Sequence, residues 1–287
     1  MAEIHKREML GVLGGMGPLA SAEFLKTIYE YNIFGKREQQ SPKVILYSDP
    51  TFPDRTEALL RGDDEVLLAN LIEALYQLCE LDVSKIVICC ITSHYLLPKL
   101  PDDLRDRVIS LVDIIFKKIL DQPKKHLLIC STGTQKLQIF QNHILWQFVK
   151  DDIILPDESD QNLIHQMIYY LKVKGDFQKC LSILENLQAK YNVEKLIAGC
   201  TEIHLLNKYL ESVAGKQREN IFLDPLTIIA QELWSISHLQ NYTDLPNIIA
   251  AFQFLSRIFS QDLNVPQEID KYNSKKYEFS NLYSRLV

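Results

Sequence analysis

An α/β fold of two similar Rossmann-like lobes, each a small parallel sheet flanked by helices, follows from three observations. Short apolar runs alternate with amphipathic helical stretches, the pattern of parallel strands joined by helical crossovers. The pattern restarts halfway along the chain. Two apolar runs also end alike, Ile86-Val-Ile-Cys-Cys90-Ile-Thr-Ser-His94 and Leu196-Ile-Ala-Gly-Cys200-Thr-Glu-Ile-His204, each with a His four residues after the Cys. Reactive groups of open α/β sheets collect beyond the carboxyl ends of the strands. Two such ends facing each other would set two thiols across one cleft between the lobes, an arrangement suited to removing a proton on one face and supplying one on the other.

In the first half, Met9 to Leu13 reads as a strand, followed by the turn Gly14-Gly-Met-Gly-Pro18 and a helix near Leu19–Tyr31. Val44–Ser48 is the second strand. The stretch Glu57 to Glu80 has helical periodicity, with Leu59, Leu60, Val66, Leu67, Leu71, Leu75 and Leu78 as its apolar positions. Ile86–Cys89 is the third strand, and Leu104 to Ile119 reads as a helix. The second half opens with His126–Cys130 as a strand, the turn Ser131-Thr-Gly-Thr134 and a helix from about Gln135 to Phe148. Asp152–Leu155 is a short strand, Gln161–Lys172 and Phe177–Tyr191 are helices, and Leu196–Gly199 is the strand leading to Cys200. Ile221–Leu223 and the helix Leu226–Ser235 are expected to return to the first lobe. The predicted division is therefore 1–98 with 207–235 as the first lobe, 99–206 as the second, and 236–287 as an extension. In that extension Leu245 to Phe259 has amphipathic character and Gln267–Tyr277 is polar.

Of the 287 residues, 47% are hydrophobic and 24% charged, ordinary values for a globular chain large enough for one or two cores. The net charge of −6 argues against a nucleic-acid partner. The absence of any apolar run of about 18–20 residues argues against a membrane span. The polar start MAEIHKREML leads into a strand, so no signal peptide and a cytoplasmic location are expected. Six cysteines without a secretory signal do not suggest a disulfide framework. No Cys-x-x-Cys or His-x-x-x-His pair suggests a metal. Cys79, Cys89 and Cys180 lie in apolar contexts and read as small buried hydrophobes.

The Gly14–Pro18 turn sits between strand and helix, where backbone N–H groups and the helix N-terminus favour an anion. It lacks the full dinucleotide pattern and the Gly-Lys-Ser/Thr ending of a phosphate loop, so a small carboxylate suits it better than a nucleotide. Arg55, in Pro53-Asp-Arg-Thr56, presents a fork that matches a carboxylate; by itself it reads rather as a loop arginine paired with Asp54 or Asp49. Cys90 and Cys200 stand out because they recur at equivalent places. A thiol acts as a base only as thiolate, which donors at a helix start favour. His94 and His204 read equally as partners of the thiols and as packing or capping residues. Thr92 and Thr201 offer hydroxyls. Glu202 either raises the acid constant of Cys200 or takes a substrate amine.

The segments LGVLGGMGPLAS (10–21), SDPTFPDRTEALL (48–60), CCITSHYLLPKL (89–100), STGT (131–134), ILPDESDQNLIHQMIYYLKVKG (154–175), IAGCTEIHLL (197–206) and FLDPLTIIA (222–230) resemble the cofactor-independent aspartate/glutamate racemases, within them the aspartate racemase branch. The resemblance runs in order over about residues 8–235. It implies two α/β lobes with the active site between them, and two cysteines facing opposite sides of the substrate Cα without pyridoxal phosphate or metal. Cys90 and Cys200 fall at those positions, and Arg55 at the arginine that grips the side-chain carboxylate. Lys174 matches less well a lysine near the site. The backbone at Met16 and Gly17, with Thr92, Gly133, Thr134, Thr201 and Glu202, would hold the rest of a small acidic amino acid. A homodimer is also implied.

One departure stands out. The family's first motif is usually Cys-Asn-Thr-Ala-His, and Ile91 replaces the Asn here. Ile has no donor for a substrate carboxylate, a loss of about 1.5–3 kcal/mol for a hydrogen bond to a charged group. Phe140 also stands where a Tyr is common. The reading that leads is a racemase of aspartate, with glutamate next. A superfamily isomerase or decarboxylase, and an amino-acid-binding protein without turnover, are the alternatives.

Overall fold

The computed structural model describes residues 9–33, 37–173, 175–214 and 220–236. These described residues belong to one compact unit. The extension, with the expected helix at 245–259, lies outside the described residues.

The first sheet is built from β1 (Met9–Gly14), β2 (Lys43–Ser48) and β3 (Lys85–Ile88), all parallel, in the order β2-β1-β3. Its crossovers are α1 (Pro18–Asn32), then α2 (Arg55–Arg61) and α3 (Asp64–Glu80). The single helix expected over 57–80 is broken at Gly62, which takes φ 82° and caps α2. Asp63 and Asp64 follow at once and begin a new helix. Leu60 and Val66, on either side of the break, point to solvent, while Leu59, Leu67, Leu71, Leu75 and Leu78 are buried as expected.

Beyond β3 the expected helix over 104–119 is also split. A short α4 (Asp102–Arg105) ends before a bridge in which Ile86 donates to Arg107 C=O and accepts from Ile109 N–H. Only then does α5 (Leu111–Asp121) start, capped by Ser110. Val108 is thereby the partner of Ile86 on the outer side of β3.

The second sheet has the order β5-β4-β6-β7, with β4 (His126–Cys130), β5 (Ile153–Ile154), β6 (Lys195–Gly199) and β7 (Phe222–Leu223), again all parallel. Between them lie α6 (Thr132–Lys136), α7 (Trp146–Val149), α8 (Glu158–Lys172), α9 (Phe177–Tyr191) and α10 (Ile203–Ala214), and α11 (Pro225–Ile236) follows β7. The helix expected over 135–148 is two short pieces, because Gln138 adopts φ 52° and ends the first. Asp157 and Asp176 accept from the N–H three residues on and set the starts of α8 and α9.

β7 pairs with β6, so the segment expected to return to the first lobe adds a strand to the second sheet. Only its helix crosses: α11 packs on α1, where Asn32 Nδ2 donates to Ala230 C=O. The mirror crossing is made by α5, whose Phe116 packs against Phe140 and whose Asp113 pairs with His143 beyond α6. Val108 on the first sheet thus corresponds to β7 on the second, and each is followed by a helix that packs on the other lobe.

Each lobe has its own apolar core. Leu13, Leu71, Leu75, Ile86 and Ile88 belong to the first and Leu127, Ile129, Ile164, Leu184 and Leu196 to the second. Cys90 lies at the rim of one core and Cys200 at the rim of the other. Among the described residues no helix is long and apolar enough to cross a membrane.

Candidate active site

The carboxyl ends of the two sheets face each other. Thr92, just past β3, hydrogen-bonds Ser131 (3.1 Å) and Thr134 (2.9 Å), just past β4. Thr201, just past β6, donates to Cys89 C=O across the same boundary. Cys90 and Cys200 are held within this junction, 7% and 8% exposed, and close enough for the Cys90 charge to act on Cys200. All six cysteines are free. Cys89 and Cys130 are buried in the cores, and burial pushes Cys130 up to about 12.

Cys200 Sγ donates to Glu202 Oε2 at 2.8 Å. Burial, and then the neighbouring Glu202 charge, raise the Cys200 thiol well above its ordinary value. Glu202 is itself 2% exposed, and its second oxygen, Oε1, finds no hydrogen-bond partner among the described residues. That oxygen rests on the turn after β1, where a Cβ at Gly17 would come within 2.3 Å of it. Gly15 in the same turn has φ 88°, and a Cβ there would strike the Asp49 backbone. The turn therefore lies against β2 on one side and against Glu202 of the second lobe on the other.

Arg55 opens α2 and is 8% exposed. Its Nη2 donates to Met16 C=O (2.8 Å) and its Nη1 to Pro53 C=O (2.9 Å). Burial pulls its pKa down, but Cys90, Asp54 and Glu202 outweigh this and hold the guanidinium charged. Its Nε has no partner among the described residues. The buried junction thus contains one unpartnered cationic donor and one unpartnered carboxyl oxygen, each beside a thiol.

The sequence-identified residues Met16, Gly17, Arg55, Thr92, Thr134, Thr201 and Glu202 are brought together with the two cysteines. Gly133 packs directly on Thr56 of α2. Lys174 lies outside the described residues. Lys172, which the spacing did not single out, acts on the charge of both Cys200 and Asp54, with its ammonium 4.4 Å above the Tyr169 ring. The signal for it was weak, since only the fold shows which way a lysine in the last turn of α8 points. Ile91 is almost fully buried, at 1% exposure.

Neither histidine is bonded to a thiol. His94 Nε2 accepts from Leu111 N–H, so its proton is on Nδ1, which donates to Cys90 C=O. Burial lowers its pKa to about 4, consistent with a neutral ring. His204 Nδ1 meets Asp224 Oδ2 at 2.6 Å and its Nε2 faces Thr27 Oγ1. Asp224 accepts from Leu226 N–H at the start of α11; despite burial, His204 and the hydroxyl and amide donors of Thr227 and Asn207 hold it at about 2. His94 thus caps the start of α5, whereas His204 pairs with the carboxylate that accepts at the start of α11; both are packing or capping residues and neither serves a thiol.

The family model for Asp/Glu/hydantoin racemases matches residues 13–233. A broad specificity amino-acid racemase of Bacillus subtilis, RacX, is 22% identical over 211 residues, covering 71% of this chain and 89% of that protein. Among solved structures, the aspartate racemase of Picrophilus torridus superposes with a TM-score of 0.67 at 21% identity, covering 80% of this chain and 94% of its own. A putative Asp/Glu racemase of Yersinia pestis gives 0.58 at 23%, covering 80% and 99%. At these identities the structural likeness establishes the two-lobe fold.

Proposed function

Because this chain belongs to the Asp/Glu/hydantoin racemase family, we propose that it is an amino-acid racemase, an isomerase that inverts Cα by proton transfer between Cys90 and Cys200. The observation that carries this is the pair of unpartnered buried groups. A donor on cationic Arg55 and an acceptor on Glu202 complement the side-chain carboxylate and the ammonium of one acidic amino acid, and each lies beside one thiol.

In one direction Cys90, beside the Arg55 guanidinium, acts as thiolate and takes the Cα proton, leaving the electron pair delocalised into the substrate carboxylate. Cys200, kept protonated by burial and Glu202, gives its proton to the opposite face of Cα. The reverse direction exchanges the roles, so each turnover moves one proton on and one off. No pyridoxal phosphate or metal enters this scheme. Thr92, Thr134, Thr201 and the Met16–Gly17 backbone complete the binding surface.

Aspartate is the substrate we favour and glutamate the next, on the PDRT segment carrying Arg55 and on the second cation, Lys172, near the thiols. A cytoplasmic homodimer is part of the same reading and rests on the resemblance. The test is Cα proton exchange: purified protein in reducing buffer without pyridoxal phosphate, L-aspartate then L-glutamate in D₂O, followed by NMR and chiral chromatography. Exchange with appearance of the D form is expected, and Cys90→Ala and Cys200→Ala should each abolish racemisation. Binding of aspartate without exchange would replace this reading by an amino-acid-binding protein, which Ile91 would then help to explain.

A further inference from the structure

The junction holding the thiols is nearly closed, with Cys90, Cys200 and Arg55 each under a tenth exposed. Any small molecule that reaches them must pass a part of the boundary that opens. Thr92–Ser131–Thr134 and Thr201–Cys89 are buried contacts deep in the junction. Other inter-lobe bonds that water can reach, Tyr31–Glu211, Glu30–Lys208 and Asp113–His143, lie on helices that do not carry Arg55; the one next to Arg55 is different. Tyr169, three residues before the end of α8, donates its hydroxyl to Asp54 Oδ2 at 2.8 Å. Both residues are half-buried, and Asp54 immediately precedes the buried Arg55. The Tyr169 hydroxyl also engages Thr56, and Lys172 sits over the ring. The bond therefore joins the second lobe to the start of α2 on the solvent side of Arg55.

We propose that the Tyr169–Asp54 hydrogen bond is a latch that closes the two lobes over Arg55 and the thiols, and that entry to Cys90 and Cys200 requires it to break. Half-exposure makes it the contact that water can compete for, whereas the hydroxyl cluster behind it is dry and acts as the hinge side. Asp54 has a second duty, since its Oδ1 caps α2 through Glu57 N–H. Tyr169 is thus the partner that can be altered without disturbing the helix carrying Arg55.

The test is alkylation of the full chain by iodoacetamide, with the rate at each cysteine resolved by peptide mass spectrometry across about pH 7–10. A factor constant across pH reports access; a displaced midpoint reports thiol acidity. Tyr169→Phe should speed alkylation of Cys90 and Cys200 alike by about three- to tenfold, the open-to-closed ratio that one net hydrogen bond controls. Tyr191→Phe removes a similar Tyr–Asp bond, to Asp160, within the second lobe and should leave both rates unchanged. Unchanged rates in Tyr169→Phe would overturn the latch. So would an equal gain at the core thiols Cys89 and Cys130, which would mean general loosening. The readout needs no turnover, so it stands or falls independently of the racemase reading.

Discussion

Glu202 is the residue on which the chemistry of the second thiol turns. Its Oε2 accepts the Cys200 proton, and its charge, after burial, holds that thiol in its protonated form. Glu202→Gln keeps the shape and removes the charge. The pH midpoint for alkylation of Cys200 should then fall, since a charge that raises the thiol's pKa has gone. An unchanged midpoint would mean that burial alone sets it. The same variant should lower kcat/KM for the favoured amino acid by about tenfold or more, the consequence of losing a charge-assisted hydrogen bond of about 1.5–3 kcal/mol to its ammonium group. Glu202 was visible in the sequence beside Cys200, where its two readings were open. The structure places Oε2 on the thiol and leaves Oε1 without a hydrogen-bond partner among the described residues. Ile91 was visible too, as a donor missing from the family's motif.

At the scale of elements, every strand read from the sequence forms. Most helices do as well, with caps at Asp54, Ser110, Asp157 and Asp176. The errors lie where periodicity ran on through a stop signal. Arg61-Gly62-Asp63 marks an end and a start, yet the apolar spacing on either side suggested one helix. Gly62 takes φ 82°, and a Cβ there would meet nothing within 4 Å. Any cost of Gly62→Ala is therefore backbone strain alone, about 1–2 kcal/mol in urea denaturation, with a smaller loss for Gly62→Asn because Asn tolerates the left-handed region. A loss of several kcal/mol would instead mean that side-chain packing fixes the break. The split at 107–109 was not legible. It exists because Ile86 on the outer side of β3 needs backbone partners, a tertiary requirement that overrides a local helical preference.

At the scale of the molecule, the two histidines join the halves in a duplicated way. His94 reaches from the first cysteine strand to the start of α5, and His204 from the second to Asp224 at the start of α11. This makes stability depend on pH. His94 is buried with an acid constant near 4 against 6.5 in the unfolded chain. Below pH 6.5 the unfolded chain binds a proton that the folded one refuses, so stability falls as pH drops from 6.5 toward 4 and levels off beneath that. The loss is of order 3 kcal/mol. Asp224, at about 2 when folded against the ordinary 3.8, adds a further loss only between those values. Urea midpoints at several pH values should show the first decline, and His94→Gln should flatten it; equal slopes in the two proteins would remove His94 as its cause.

The sequence by itself determined the strand and helix alternation, the repeated Cys-x-x-x-His ends, and hence the two-lobe α/β class. These are local properties: side-chain periodicity, turn residues and a motif written twice. Tertiary structure alone decided that β7 joins the second sheet while α11 crosses to α1. It also decided that His94 caps α5 and His204 pairs with Asp224 rather than either serving a thiol, and that the Lys172 charge acts on Cys200. Those outcomes depend on which residues distant in the chain come to lie within a few ångströms, and so on how two lobes pack. Periodicity along one strand or helix carries no record of that packing.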